Sequence, residues 1–178
     1  MAKLWYGSES DDHFTGDNFD DKMIGNSGND ILEGLGGDDY LSGGYGNDTL
    51  DGGFGDDDLN GGKGSDIIQG GDGNDAICGG SGSDVDRLSG GHGADIFRFY
   101  DWGHGRTDII TDFNFAEGDV LRILHGTVGS NDDGLVVFDQ MLQVGGDTIL
   151  REGGATIQLI GVGLNALIAS GSIHYEPT

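Results

Sequence analysis

Gly43-Gly44-Tyr45-Gly46-Asn47-Asp48-Thr49-Leu50-Asp51 runs without a gap into Gly52-Gly53-Phe54-Gly55-Asp56-Asp57-Asp58-Leu59-Asn60. Gly61-Gly62-Lys63-Gly64-Ser65-Asp66-Ile67-Ile68-Gln69 and Gly70-Gly71-Asp72-Gly73-Asn74-Asp75-Ala76-Ile77-Cys78 follow. All four obey one rule, Gly-Gly-x-Gly-x-Asp-x-U-x, where U is a large aliphatic residue. Nine is a poor fit to a helical period of 3.6, and three glycines per unit would cost a helix about 3 kcal/mol relative to alanine. One apolar residue in nine fits a three-residue strand, x-U-x, joined to the next by a six-residue Gly-rich turn. Two units then make one coil of a flattened parallel solenoid, with successive coils about 4.8 Å apart.

The same unit extends in both directions. Degenerate copies start at Gly7 and Gly16, and the register then holds at Gly25, Gly34, Gly43, Gly52, Gly61, Gly70 and Gly79. The copy at Gly79 is two residues too long, and the frame resumes at Gly90. Weak ends around a strong middle are expected of an array whose terminal units act as caps. The sixth position reads Asp12, Asp21, Asp30, Asp39, Asp48, Asp57, Asp66, Asp75, then Asp84 or Asp86, then Asp95. The eighth reads Phe14, Met23, Leu32, Leu41, Leu50, Leu59, Ile68, Ile77, Leu88 and Phe97. The overlong copy leaves both choices of aspartate open, with Asp84 taken as the candidate.

Composition narrows the chemistry. The 178 residues include 38 Gly and a single Pro, and 8 Lys and Arg stand against 32 acids, a net charge of -24. Such a chain repels itself unless cations neutralise it, and it is a poor partner for nucleic acid. No apolar run is long enough for stable membrane insertion. The lone cysteine, Cys78, cannot form an intrachain disulfide, and its ninth position predicts an outward free thiol. After Met1-Ala2-Lys3-Leu4-Trp5-Tyr6 the chain is already polar, so no amino-terminal signal peptide is read here. A disordered acidic linker would share this composition but has no reason to place a large apolar residue at every ninth position.

One core side chain per nine residues makes a thin core, so a further stabilising term is required. With 21 acids and 4 bases between residues 7 and 98, that term must be cationic. Ca²⁺ takes six to eight oxygens, carboxylate and main-chain carbonyl alike, and each turn offers one Asp and an arc of carbonyls. Units n and n+2 stack, so Asp48 should lie one layer from Asp30 and Asp66, and Asp57 one layer from Asp39 and Asp75. No Cys or His cluster has the spacing of a transition-metal site.

These repeats resemble the repeats-in-toxin (RTX, haemolysin-type) calcium-binding family. The resemblance covers residues 7–98 and implies an all-β, right-handed parallel β-roll with several Ca²⁺ in two rows. It implies that each ion lies between two loops, receiving both sixth-position Asp carboxylates. One loop adds the carbonyls of positions one and three, the other those of two and four. Carried over, Gly43, Tyr45 and Asp48 would meet Gly62, Gly64 and Asp66. The remaining carbonyl candidates are Gly34, Gly36, Gly44, Gly46, Gly52, Gly53, Phe54, Gly55, Gly61, Lys63, Gly70, Gly71, Asp72, Gly73, Gly80, Gly82, Gly91 and Gly93.

Beyond Arg98 glycine falls and apolar residues rise. Phe97 to Trp102 reads as an aromatic strand. Asp108-Ile109-Ile110-Thr111-Asp112-Phe113, followed by Glu117 to Ile123, resembles the element that closes the roll in serralysin-type proteins. That resemblance makes Asp108, Asp112 and Asp119 further calcium candidates. Leu135–Phe138, Gln140–Val144 with Gly145 to Leu150, and Ala155–Ile160 predict antiparallel hairpins, and Leu164–Ile168 a short helical turn. The resulting division is a lead-in at 1–6, a calcium-binding roll at 7–98 and a C-terminal β cap at 99–178. In the family such an ending carries a type I secretion signal.

Other motifs carry less. Asp56-x-Asp58-x-Asn60-Gly61 begins like an EF-hand loop, but Ile67 stands where that loop needs Glu. No Gly-x-Ser-x-Gly, His-Glu-x-x-His or P-loop is present. His92 and His104 read as surface residues, and Tyr40, Tyr45, Phe54 and Trp102 as packing or solvated aromatics, with an exposed carbohydrate-contact surface as the alternative. The expectation is a secreted, extracellular, non-catalytic and monomeric calcium-binding module. The alternative is a polysaccharide-binding accessory module like the R-module of mannuronan epimerases.

Overall fold

The computed structural model describes residues 1–82, 84–100, 107–124, 140–152, 155–163 and 165–166. Two parallel ladders face one another. The first holds β1 (Leu4–Tyr6), β3 (Lys22–Ser27), β5 (Tyr40–Tyr45), β7 (Asp58–Lys63), β9 (Ala76–Gly80), β11 (Ile96–Tyr100) and β13 (Val120–Leu124), in that order. The second holds β2 (His13–Asp17), β4 (Ile31–Gly36), β6 (Thr49–Phe54), β8 (Ile67–Asp72), β10 (Arg87–His92) and β12 (Thr107–Ile110). The chain alternates between the sheets, so every strand pairs with the one two earlier, as a solenoid requires. The fold is therefore the parallel β-roll that the repeat predicts. Its ladder also takes in Leu4–Tyr6 before the first copy and continues past Arg98 through β12 and β13.

The strands are longer than x-U-x. β6 spans positions seven to nine of one unit and one to three of the next. The register pairs Leu50 with Ile68 and Gly53 with Gly71. The glycines belong to the ladder because layers approach too closely there for a side chain. At Gly53, with φ of +104°, an added Cβ would stand 2.5 Å from the carbonyl oxygen of Leu35. Asn26 and Leu35, which hold the second position in earlier units, keep the same left-handed backbone at φ 76° and 75°.

The core is a single file. Met23, Leu32, Leu41, Leu50, Leu59, Ile68, Ile77, Leu88 and Phe97 are buried, all within 1% of complete burial. Each removes about 1.5–3 kcal/mol of apolar exposure from water. Trp5 stacks on Phe14 at 5.1 Å at the first-coil end, and Phe97, Phe113 and Phe115 pack as a tilted and edge-on series at the other.

The C-terminal region joins the second sheet rather than sitting apart from it. β16 (Ala155–Leu159) pairs parallel with β12, and β15 (Asp147–Glu152) and β14 (Gln140–Val144) add antiparallel beyond it. The hairpin through Gly145-Gly146 forms as the turn residues predict. Leu150, Ile157 and Leu159 are fully buried. Asn165 and Ala166 are helical, within the predicted turn. The expected strand at 135–138, residues Asp101, Trp102 and His104, and the chain terminus lie outside the described residues.

Cys78 departs from its expected place. It is only 5% exposed, although its ninth position was read as outward. The neighbouring residues Gly79 and Gly80 are buried as well, so this part of β9 is covered on its outer side too. It forms no disulfide.

Candidate metal centre

The turns are built by two carboxylate columns, one on each side of the roll. In the first, the backbone N–H groups of Asp12, Asp30, Asp48 and Asp66 donate to Oδ1 of Asp30, Asp48, Asp66 and Asp86. The series continues with Asp86 donating to Asp108. In the second, Lys3, Asp21, Asp39, Asp57, Asp75 and Asp95 donate to Asp21, Asp39, Asp57, Asp75, Asp95 and Asp119. Each sixth-position Asp thus ties its layer to the one before it.

This places Asp86, not Asp84, in the column. Asp86 is buried and bonded to Asp66, whereas Asp84 is exposed. The reason is a fixed offset. The core residue lies two after the Asp, and Leu88 follows Asp86 at that distance while Asp84 would bring Asp86 into the core. The two extra residues are taken up in the exposed stretch around Ser81, Gly82, Asp84 and Val85. Ser81 N–H still donates to the Gly62 carbonyl of the layer before, at 2.8 Å. The same offset continues past the repeats, as Asp108-x-Ile110 and Asp119-x-Leu121.

The second carboxylate oxygen is the unusual atom. Oδ2 of Asp30, Asp39, Asp48, Asp57, Asp66, Asp75 and Asp95 is buried with no hydrogen-bond partner among the described residues. A buried carboxylate oxygen without a partner is costly. First-position glycine makes its seat. At Gly52 an added Cβ would stand 2.2 Å from Asp57 Oδ2 and 2.7 Å from the Gly70 carbonyl oxygen of the next layer. Carboxylate and carbonyl therefore converge where the glycine has no side chain. The two degenerate first copies differ: Asp12 Oδ2 accepts the Ser8 N–H at 2.6 Å and Asp21 Oδ2 the Asp17 N–H at 2.9 Å.

The carbonyls are ordered by layer. Between 52–57 and 70–75, the carbonyl oxygens of Gly53 and Gly55 lie 2.0 and 1.9 Å from where Cβ atoms of Gly71 and Gly73 would be. From the upper loop, Gly70 O approaches Gly52, and Asp72 O accepts the Gly55 N–H at 2.8 Å. Positions two and four thus point to the following layer, and one and three to the preceding one. This reverses the pairing carried over from the resemblance. Gly43 O approaches Gly25 and Tyr45 O accepts from Gly28, while Gly62 O approaches Gly80 and Gly46 O approaches Gly64. Gly43 and Tyr45 are therefore not brought against Gly62 and Gly64. The facing sets are Gly44 and Gly46 with Gly61 and Lys63, Gly53 and Gly55 with Gly70 and Asp72, and Gly71 and Gly73 with Gly90 and His92. Gly34 O likewise approaches the preceding Gly16, and Gly91 and Gly93 receive the carbonyls of Gly71 and Gly73.

Burial raises these carboxyls well above the usual range. Asp39, Asp48 and Asp95 rise to about 6, and Asp57, Asp66 and Asp75 to about 7, from 3.8. Desolvation is the largest cause, the amide bond opposes it, and like charges in the same column add to it. A cation reverses that balance.

The donors present are carboxylates and carbonyls, and no group of three His, Cys, Asp or Glu side chains gathers among the described residues. An ion here must draw most of its ligands from main-chain oxygen, which suits a hard cation of high coordination number. Calcium fits the seat. It would neutralise facing Asp pairs and tie consecutive layers together.

Asp112 has a different place. Its Oδ1 accepts Gly90 N–H and its Oδ2 accepts Gly91 N–H, both at 3.0 Å, and Ser89 Oγ donates to it as well. It fastens the segment after β12 over the last loop. The sequence reading also missed a second ladder at position five. Asn29, Asn47 and Ser65 donate their N–H groups to side chains of Asp11, Asn29 and Asn47, and Asp38, Asp56, Asn74 and Ala94 to those of Asp20, Asp38, Asp56 and Asn74. Its signal is present: in the regular copies, position five holds Asp, Asn or Ser wherever a following layer donates to it. This ladder runs opposite to the Asp column, so each loop is fastened both forwards and backwards.

A parallel roll with oxygen-lined loops defines a class of calcium-binding repeat protein, and comparison with known families is specific. Residues 6–41, 24–59, 33–68 and 51–85 match the RTX calcium-binding nonapeptide repeat in four overlapping copies. Together the matched stretches run from residue 6 to residue 85, a little under half of the chain. Among nine solved chains that match is the extracellular lipase LipA from Serratia marcescens. It is 20% identical, with a TM-score of 0.41, over 97% of this chain and 40% of the lipase. The chain thus spans well under half of that protein. No curated protein matches.

Proposed function

We propose that this chain is a calcium-binding module of a secreted bacterial protein, folding as Ca²⁺ enters two rows of interlayer sites. The calcium-binding unit is assigned to residues 7–98 and the closing part to 99–178. The observation that carries this reading is the set of buried Asp Oδ2 atoms without partners, repeated layer after layer. Binding free energy then becomes folding free energy. At low intracellular calcium the chain stays extended, suited to passage through a type I secretion channel, and it folds outside. The module has no catalysis of its own and supports a larger protein as a monomeric unit.

Native mass spectrometry across a calcium series tests the reading. Several ions should bind cooperatively, with regular central loops filled and the two amino-terminal copies empty. Binding of no calcium at millimolar concentration would overturn it.

A further inference from the structure

A groove of about 690 Å³ runs across the second sheet near its C-terminal end. Its floor is Gly53 and Gly71, paired in register between β6 and β8, with Gly91 of β10 beyond them. Asp51 and Gln69 form one wall, and Phe54, Asp72 and His92 the other. Position nine thus faces position three across glycines that have no side chain to fill the space. The 112–117 loop closes one end.

The end is held by hydrogen bonds, and Phe54, Gln69 and Asp72 on the walls are exposed. Asn114 Nδ2 donates to Glu117 at 2.8 Å, Ala116 N–H to Asn114 Oδ1 at 3.0 Å, and Glu117 stands 3.7 Å from His92. Among the described residues, the side chains of Asp51, Gln69 and Asp72 have no hydrogen-bond partner. Phe54 is 67% exposed, an uncovered flat apolar ring beside those acceptors and the amide. Successive walls repeat at the strand spacing of about 4.8 Å. That is close to the length of one hexose in an extended chain.

We propose that this groove binds a linear oligosaccharide of uncharged hexoses. The Phe54 ring would take the apolar face of one sugar, as aromatic rings present a flat hydrophobic surface. Paired acceptors and the Gln69 amide would take vicinal hydroxyls, and the 112–117 loop would stop the chain at one end. The groove has carboxylates and no Lys or Arg, so like-charge repulsion rejects uronate, sulfated or phosphorylated polymers. The proposal requires a folded roll and goes beyond the calcium reading.

The test is isothermal titration of the full calcium-saturated chain with hexamers of β-1,4- and β-1,3-linked glucose, β-1,4-linked mannose, β-1,4-linked glucosamine and β-1,4-linked mannuronate. Circular dichroism on the same sample establishes that the roll is folded. At least one neutral hexamer should bind, and Gln69→Ala and Asp51→Asn should each weaken it about tenfold or more while the calcium titration midpoint is unchanged. Neither residue is assigned to a calcium loop. No binding of any neutral hexamer by the folded chain overturns the proposal. So does binding of mannuronate or glucosamine alone, or binding that both variants leave intact.

Discussion

Between Gly25 and Cys78 every loop is fastened the same way: one buried aliphatic residue, one buried Asp to the layer before, one short polar side chain to the layer after. In the C-terminal hairpin the method changes. β15 and β16 hold through alternating buried side chains, Leu150, Ile157 and Leu159, with Thr148 Oγ1 donating to the Val162 carbonyl at 2.7 Å. The comparison separates two ways of stabilising a sheet. The C-terminal strands bury ordinary hydrophobic area, whereas the roll combines a thin core with buried anionic oxygens. Only the roll should respond strongly to calcium and to protons.

The largest effect is expected from the single-file core. Leu59 is fully buried with core neighbours in the layers above and below, and Leu59→Ala should cost about 2–5 kcal/mol. Urea unfolding of the calcium-saturated protein measures this, and a loss below 1 kcal/mol would show that the file is not the core.

Next comes the column. Asp57→Ala removes one carboxylate from the interlayer space and should raise the calcium midpoint about tenfold or more, by the coupling of metal binding to folding. Asp147→Ala serves as the contrast. Asp147 accepts from Gln158 and the Gly161 N–H in the C-terminal hairpin, outside any loop column. Its midpoint should stay within about twofold of the parent, since the bonds it loses lie within the C-terminal hairpin. Equal shifts in the two variants would remove the distinction between roll and cap.

Protons should act on the same column. The folded carboxyls titrate at about 6 to 7, above the unfolded value of 3.8. A raised acid destabilises the ionised folded state, fully above the folded value and progressively less as pH falls towards the unfolded one. Calcium-free protein should therefore gain β-structure as pH drops from about 7 to about 4. Over the same window protons compete with calcium, and its midpoint should rise. Circular dichroism with chelator reads the first, and a calcium titration at each pH the second.

The smallest effect concerns backbone alone. Leu35 keeps φ at 75° and is 47% exposed, so Leu35→Gly should stabilise the calcium-loaded roll by about 1 kcal/mol. A loss of stability would mean that the Leu35 side chain contributes more than its backbone costs.

Much of the roll was legible because its physics repeats. The apolar file and Asp column are strict in phase, and that phase is what a nine-residue coil demands. The overlong copy hid its frame only while the two columns were read separately; the Asp-to-core offset of two selects Asp86 with Leu88. The same offset identifies Asp108 with Ile110 after the glycines have gone. The position-five ladder went unread because Asp, Asn and Ser there look like ordinary turn residues. Which carbonyls face each other depends on the direction each peptide takes through the turn, and spacing alone does not carry that. Cys78 was misplaced for a related reason: alternation assigns the outer face, but only the fold decides whether that face is covered.

The central claim is that the roll depends on what its buried carboxylates hold. Far-UV circular dichroism of the full chain at neutral pH, first with chelator and then through a calcium titration, tests it directly. The account predicts a largely unfolded spectrum without calcium and a cooperative, chelator-reversible gain of β-signal on its addition. Full β-signal in the presence of chelator, unchanged by calcium, would contradict it.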